Sequence, residues 1–316
     1  MSEKPQKRSP RPVRERIVRH PVHGVLFLDK PQGMSSNNAL QKARWLLAAL
    51  KGGHTGTLDP MATGLLPLTF GEATKFSQTL LDADKVYEAT VQLGITTTTA
   101  DAEGEVLEAR PVDVSDAQLE AALARLRGEI EQVPPMYSAL KHHGKALYEY
   151  AREGVEIPRE PRRVHIYLLE CLGREGDSLR IRVECSKGTY VRTLASDLGA
   201  MLGCGAHLTA LRRTRIGPFH LEGSISLADF EALPADQRPA RLAPVDALLV
   251  HLPALQLDEA GRRSFTHGQA VRGCVGLAGQ LYKVYAGQDF LGVGTLGEAG
   301  ELSPTRLVAT QVTETA

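Results

Sequence analysis

Gly53-His54-Thr55-Gly56-Thr57-Leu58-Asp59-Pro60-Met61-Ala62-Thr63-Gly64-Leu65-Leu66-Pro67-Leu68 gathers turn-forming residues around a single acid. Pro60 crowds the backbone of the residue before it and disfavours helix there, so Asp59 belongs to extended backbone. Gly56 and Gly64 permit tight conformations on either side of the acid. Leu65–Phe70 then reads as an apolar strand that anchors the loop. Side chains that do chemistry are commonly displayed on loops fixed in this way. Taken alone, an Asp before Pro is more often a turn former than a catalyst. Two other readings fail. The stretch lacks the G-x-x-x-x-G-K-[ST] pattern of a phosphate loop, and His54 and Asp59 have no third ligand nearby at metal spacing.

The flanking sequence supplies a scaffold for this loop. Val25–Leu28 is a short apolar run typical of a buried strand, broken at Asp29-Lys30-Pro31-Gln32-Gly33. Ser35 or Ser36 can cap a helix whose face is Leu40, Ala43, Leu47 and Leu50, with Gly52-Gly53 as its stop. Downstream, Lys85–Gly94 alternates with Tyr87, Ala89, Val91 and Leu93 on one face, a half-buried strand. Ser115-Asp116-Ala117-Gln118 is a capping box opening a helix with Leu119, Ala122, Leu123 and Leu126. Leu179–Cys185 alternates again and runs into Ser186–Arg192 and a helix containing Leu194, Leu198, Met201 and Leu202. Ser226–Asp229 caps a short helix to Leu233.

Three regions stand apart. Residues 1–22 are rich in Pro, Lys and Arg, with seven basic against two acidic residues in the first twenty, and read as a disordered basic arm. Residues 134–163 mix Tyr137, Tyr148 and Tyr150 with Lys141, Lys145, Arg152 and Arg159, which suits either RNA or a plain surface loop. After the Pro- and Arg-rich stretch 234–244, the chain becomes glycine-rich with short strands at Ala270–Val271, Leu281–Ala286 and Phe290–Thr295, as in a small β-barrel.

Bulk properties narrow the classes. The chain of 316 residues has 37 basic and 37 acidic side chains, so any affinity for nucleic acid must come from patches such as Arg159/Arg162/Arg163 and Arg212/Arg213/Arg215. The four cysteines contain no C-x-x-C pair, and no apolar run approaches the ~20 residues of a membrane span. The N-terminus lacks the apolar core of a secretory signal. A cytoplasmic protein with reduced thiols is expected.

The Gly53–Leu68 stretch closely resembles the signature of the B family of pseudouridine synthases, the bacterial tRNA pseudouridine-55 synthases. Gly24–Ser36 (GVLFLDKPQGMSS) looks like the first motif of that family, and Gly71–Leu80 (GEATKFSQTL) continues the second. Asp84-Lys85-Val86-Tyr87 matches the motif of the active-site tyrosine, and Cys185–Leu194 (CSKGTYVRTL) that of the active-site arginine. Gly203–Arg213 (GCGAHLTALRR) matches the last stretch of the catalytic domain. The likeness runs in order over roughly residues 23–250. Thr98 departs from it, standing where members often carry an acid.

The resemblance implies an α+β fold: a mixed, mainly antiparallel sheet flanked by helices and loops around a central cleft, plus a C-terminal PUA-like β-barrel. It implies a catalytic domain over 23–250, with 134–163 as an insertion clasping RNA, and an RNA-binding domain over 251–316. The implied reaction converts uridine 55 in the T loop of tRNA to pseudouridine after the base is flipped out, with no cofactor and no metal. Asp59 is the implied catalytic carboxylate, Arg192 its ion-pair partner holding its pKa low, and Tyr87 the ring that stacks on the base and serves proton removal. Tyr190 and Leu211 line the uracil pocket, His54 assists flipping, and Lys30 with Pro31 supports the loop. The implied partner is tRNA, through its T stem-loop and acceptor stem, acted on by a monomer with no obligatory protein partner and no membrane. Two other functions fit the same residues: an RNA-binding or tRNA-folding chaperone, and a guide-RNA-dependent synthase.

Overall fold

The computed structural model describes residues 18–309. Of the basic arm expected over 1–22, residues 1–17 therefore lie outside the described residues. Within the remainder His20 is bonded on both sides: its amide donates to Ala48 O at 2.7 Å and the Leu50 amide donates to His20 O at 2.9 Å.

A ten-stranded sheet forms the centre. Its path runs Ile225–Ser226, Gly24–Lys30, Thr63–Phe70, Ala206–Ile216, Lys85–Leu93, Ser178–Cys185, Arg162–Glu175, Gly128–Gln132, with Gly52–His54 and Phe219–His220 paired beside it. Only two of its pairings are parallel, Gly24–Lys30 with Ile225–Ser226 and Ala206–Ile216 with Thr63–Phe70. The mixed, mainly antiparallel sheet with flanking helices expected from sequence is thus present.

The middle strand Lys85–Leu93 alternates strictly, burying Tyr87, Ala89, Val91 and Leu93 on one face. Antiparallel neighbours hold it on both sides, so its register is fixed. Tyr87 pairs with Val183 on one side and with Arg213 on the other. Three helices, Ser36–Leu46, Asp116–Arg125 and Val191–Met201, press Ala39, Leu40, Leu119, Leu123, Leu194 and Leu198 into the same core. Burying a leucine of this kind stabilises by roughly 1.5–3 kcal/mol. The Asp116–Arg125 helix opens on the Ser115/Gln118 capping box read from sequence.

The first helix departs from expectation. Ser35 caps it, accepting from the Asn38 amide, but it stops at Leu46 rather than at Gly52-Gly53. Ala48 turns the chain with φ at +48°, and the Arg44 guanidinium donates to Ala49 O and Leu50 O, bracing the turn beyond the helix. Leu50, assigned to the apolar face, is 52% exposed. Gly52 and Gly53 instead open the strand that pairs with Leu68–Phe70.

Gly64 sits where Thr63–Phe70 meets Ala206–Ile216. Its φ is +102°, and a Cβ there would stand 2.3 Å from Arg213 O and 2.7 Å from Arg213 N. Neither contact is a flexible side chain, so the strands would have to part. Gly64→Ala is expected to cost about 2–4 kcal/mol, read as a fall in the denaturant midpoint; an unchanged midpoint would show that the strands separate freely.

The C-terminal residues form an open four-stranded sheet, ordered Ala254–Gln256, Leu281–Ala286, Asp289–Leu296, Leu302–Leu307. The expected barrel is not closed. Its first strand has three residues, its last carries Pro304, which lacks an amide donor, and Ala270–Val271 contributes only a bridge from Val271 to Leu302. The helix Glu259–Thr266, capped by Asp258, puts Phe265 into the core of this unit. The sheet is fastened to the first unit by Phe76, Leu249 and Val293, packed together with Phe290. The Lys75 ammonium donates to Leu307 O at 2.8 Å, and the Ala309 amide to the Glu72 carboxylate at 2.6 Å. No helix among the described residues is long and apolar enough to cross a membrane.

Candidate active site

The acid-bearing loop is held from below by the Gly24–Ser36 segment. Ser36 Oγ accepts from the Leu58 amide at 2.7 Å and donates to Leu58 O at 2.9 Å. The Gly33 amide donates to Pro60 O at 2.8 Å. Lys30, wholly buried, sends its ammonium to Pro31 O (2.9 Å), Met34 O (2.5 Å) and Pro60 O (3.4 Å). Three carbonyl acceptors match the three donors of an ammonium, although burial draws its pKa down to about 8. Lys30 therefore ties the first motif to the residue after Asp59, and it does not line the cleft described next.

Arg192 stands in the first turn of the helix Val191–Met201. Gln132 clamps the turn before it, accepting from the Tyr190 amide at 3.0 Å and donating to Tyr190 O at 3.3 Å. The Arg192 side chain, 3% exposed, meets the Asp59 carboxylate through Nε at 3.0 Å and Asp101 through Nη1 at 3.5 Å. It also donates to Thr99 O at 3.0 Å and Tyr137 O at 2.6 Å. A guanidinium fork suits such a set of four acceptors.

Asp59 departs from the expectation that an arginine would keep its pKa low. Burial raises the carboxyl above the ordinary value of 3.8, Arg192 pulls it back, and the charge of Asp101 adds to the rise. The net direction is upward, because enclosure by protein outweighs one ion pair. One side of the carboxylate opens to the cleft, with the side chain 36% exposed.

That cleft has a volume of 320 Å³, at the lower end of small-ligand pockets (~300–1,000 Å³). Asp59, Tyr87, Tyr190, Arg192 and Leu211 all line it. Burial pushes the Tyr87 and Tyr190 phenols upward. His54 lies outside the lining. Its Nδ1 is buried without a partner, and burial followed by the charge of Arg213 lowers its pKa. Among the described residues, no three His, Cys, Asp or Glu side chains gather as a metal would require.

The segment 134–163 is more than a surface loop. It carries the hairpin Lys141–His142/Lys145–Ala146 and the helix Leu147–Arg152, while Ser138, Ala139 and Leu140 form a wall of the cleft. Lys145 lies 4.6 Å from the Tyr150 ring centroid and Arg152 5.2 Å from that of Tyr148.

Sequence reading passed over Asp101, Ser138, Gln132, Lys85 and Arg213. Arg213 was grouped with Arg212 and Arg215 as a basic patch, yet it is 1% exposed. The signal available was alternation: Leu211 and Arg213 are two apart in a strand, so they share a face.

Comparison with known proteins gives one answer along the chain. The model of the TruB family pseudouridylate synthase N-terminal domain matches residues 44–191. The tRNA pseudouridylate synthase B C-terminal domain matches 192–250, and the pseudouridine synthase II TruB C-terminal model matches 253–308. The tRNA pseudouridine synthase B of Aromatoleum aromaticum is 62% identical over 94% of this chain and 96% of its own. That of Chromobacterium violaceum is 58% identical over 94% and 98%. Among solved structures, a chain of a Cbf5-Nop10-Gar1 complex aligns with TM-score 0.68 and 28% identity over 92% of this chain and 85% of that one. An H/ACA RNP bound to a substrate RNA containing 2'-deoxyuridine aligns with TM-score 0.68 and 25% identity.

These matches make the chain that folds around this cleft an isomerase that forms pseudouridine. Within that class, the chain belongs to the TruB family of pseudouridylate synthases.

Proposed function

We propose that the chain isomerises uridine 55 in the T loop of tRNA, with Asp59, Tyr87 and Arg192 as its catalytic residues. The observation that carries this reading is their convergence, from three distant parts of the sequence, on one nucleotide-sized cleft. A uridine inside an RNA fold must be flipped out to reach it. The ionised Asp59 faces the ribose, where the same anion serves whether the sugar loses its C2′ proton or takes the carboxylate at C1′. Arg192 holds that carboxylate in place. Tyr87 stacks on the base and serves removal of the proton at C5. Tyr190 and Leu211 wall the uracil, Lys30 fixes the loop, and His54 assists flipping from behind it.

The rest of the chain supports capture of the RNA. Residues 23–250 act as the catalytic domain and 134–163 as a clasp on the T stem-loop. Residues 251–316 act as a PUA-like RNA-binding unit that reaches the acceptor stem, and the arm 1–22 adds basic charge. The clasp is supplied by the same polypeptide that carries the acid. This favours a cytoplasmic monomer working on bare tRNA, without the companions named in the Cbf5-Nop10-Gar1 complex.

Tritium at uridine C5 of a tRNA transcript tests the reading, because forming the new carbon–carbon bond expels that label. Purified single chain is expected to release about one label per tRNA. Release that appears only with added protein or guide RNA would replace this reading with the guide-dependent one.

The pH dependence follows from Asp59. The active form is the carboxylate, and its folded pKa lies above 3.8. The single-turnover rate is therefore expected to fall tenfold per pH unit below that pKa, starting at higher pH than an ordinary aspartate would give. A rate constant down to pH 4 would contradict the raised value.

A further inference from the structure

Arg213 and Lys85 are buried cations with no carboxylate in ion-pair contact among the described residues. Lys85 spends donors on Leu81 O and Ala83 O. Arg213 donates through Nε to Leu65 O at 2.8 Å and through Nη1 to Thr57 O at 3.5 Å, bracketing the loop of Asp59. Its Nη2 is buried and completes no hydrogen bond within ordinary limits, although the guanidinium lies close enough to the Tyr87 phenol to hold back the rise that burial gives it. Both side chains line the cleft, and Arg213 faces it between Tyr87, its cross-strand partner, and Leu211, its neighbour on the same strand face. Arg192, by contrast, is balanced by Asp59 and Asp101. A buried cation with an idle donor is costly unless an anion arrives.

The reaction supplies one. Resting on the isomerase reading above, we propose that Arg213 Nη2 binds a carbonyl oxygen of the detached uracil and stabilises the charge that develops on the base, with Lys85 adding to the field. When the N1–C1′ bond breaks, its electron pair stays on the ring, spread over N1 and the conjugated carbonyl oxygens. The ring then turns about its N3–C6 axis, C5 delivers a pair to C1′, the C5 proton leaves to solvent, and N1 takes up a proton. That rotation exchanges N1 with C5 and O2 with O4. A single donor fixed at one flank of the ring therefore meets one carbonyl before the turn and the other after it. Arg213 is held by two backbone carbonyls in a paired strand, so it stays still while the base moves. A preorganised donor aimed at developing charge is among the largest contributions an active site makes.

The test uses tRNA transcripts carrying uridine, 2-thiouridine or 4-thiouridine at the target, with single-turnover pseudouridine formation as readout. Sulfur is a weak acceptor, so each thio substrate is expected to slow the wild-type chain roughly tenfold or more. Arg213→Gln is expected to slow the uridine substrate roughly 10²-fold and to shrink both thio penalties to within about twofold. Arg213→Lys gives the larger sulfur comparable room yet keeps a cationic donor, so it retains part of each penalty. Full thio penalties in a folded Arg213→Gln would overturn the proposal, leaving Arg213 as a support of the Asp59 loop. So would the absence of any penalty in the wild-type chain, a result that needs no variant to fold. No product from the unmodified transcript would remove the isomerase reading itself.

Discussion

Asp59→Asn is expected to lower pseudouridine formation by roughly 10⁴-fold or more while tRNA affinity stays within a few-fold. The amide keeps the shape of the carboxylate and its place above Ser36 and Gly33, but it neither accepts a proton from the sugar nor bonds to it. Arg192 keeps Asp101 and two carbonyls, so the cleft is not expected to collapse. Stability should move the other way. A carboxyl whose folded pKa is raised above its unfolded value opposes folding once ionised. That opposition is present above the folded pKa and vanishes as pH falls below the unfolded one. The variant is therefore expected to be at least as stable as the wild-type chain at neutral pH, with the difference shrinking in acid. Single-turnover tritium release and denaturant unfolding read the two effects. A variant that retains even a hundredth of the rate would sink Asp59 as the catalytic carboxylate. One that still refolds tRNA while inactive would reveal a separate chaperone function.

Arg192→Met damages both properties at once. Methionine fills much of the space, but Asp101, with a side chain 3% exposed, is left beside Asp59 without the cation between them. Removing one partner of a buried ion pair typically costs 3–5 kcal/mol. The carbonyls of Thr99 and Tyr137 lose their donors as well, which loosens the 134–163 segment from the cleft it walls. Rate is expected to fall roughly 10²–10³-fold beyond any loss of folded protein. Arg192→Lys should recover little, because one ammonium on a shorter stem cannot reach four acceptors. The denaturant midpoint and the rate per folded molecule separate these losses. A stable Arg192→Met chain would mean that Asp101 is compensated by other groups.

What could be read beforehand follows from how each segment is held. Lys85–Leu93 keeps strict alternation because both of its neighbours are antiparallel, and it was legible to within one residue, Gly94 being the turn that ends it. Arg162–Glu175 was not, although it is fourteen residues long. Irregularities between Ile166 and Leu168 and between Cys171 and Gly173 shift its faces and erase the period of two. Ala206–Ile216 is hidden likewise, by shifts at Leu208/Ala210 and Arg213/Arg215. The motifs disclosed the loop acid, the tyrosine and the arginine. They could not disclose Asp101 or Ser138, whose meaning comes only from what the fold sets opposite them. Nor could they show that enclosure would outweigh Arg192 in setting the acidity of Asp59. The C-terminal barrel failed because short, glycine-rich strands do not reveal which edges remain open.

The strand Thr63–Phe70 leaves the acid's loop and runs directly into Gly71–Phe76, the turn to which the C-terminal sheet is fastened through Lys75 and Glu72. Eight residues of strand at ~3.3 Å each separate the chemistry from the point where that unit begins. The two ends therefore behave as jaws of a calliper with a locked gap. On the proposed function, with RNA gripped at the far jaw, Asp59 would meet only the nucleotide at the matching distance, and the target would be chosen by length as well as by the base found there.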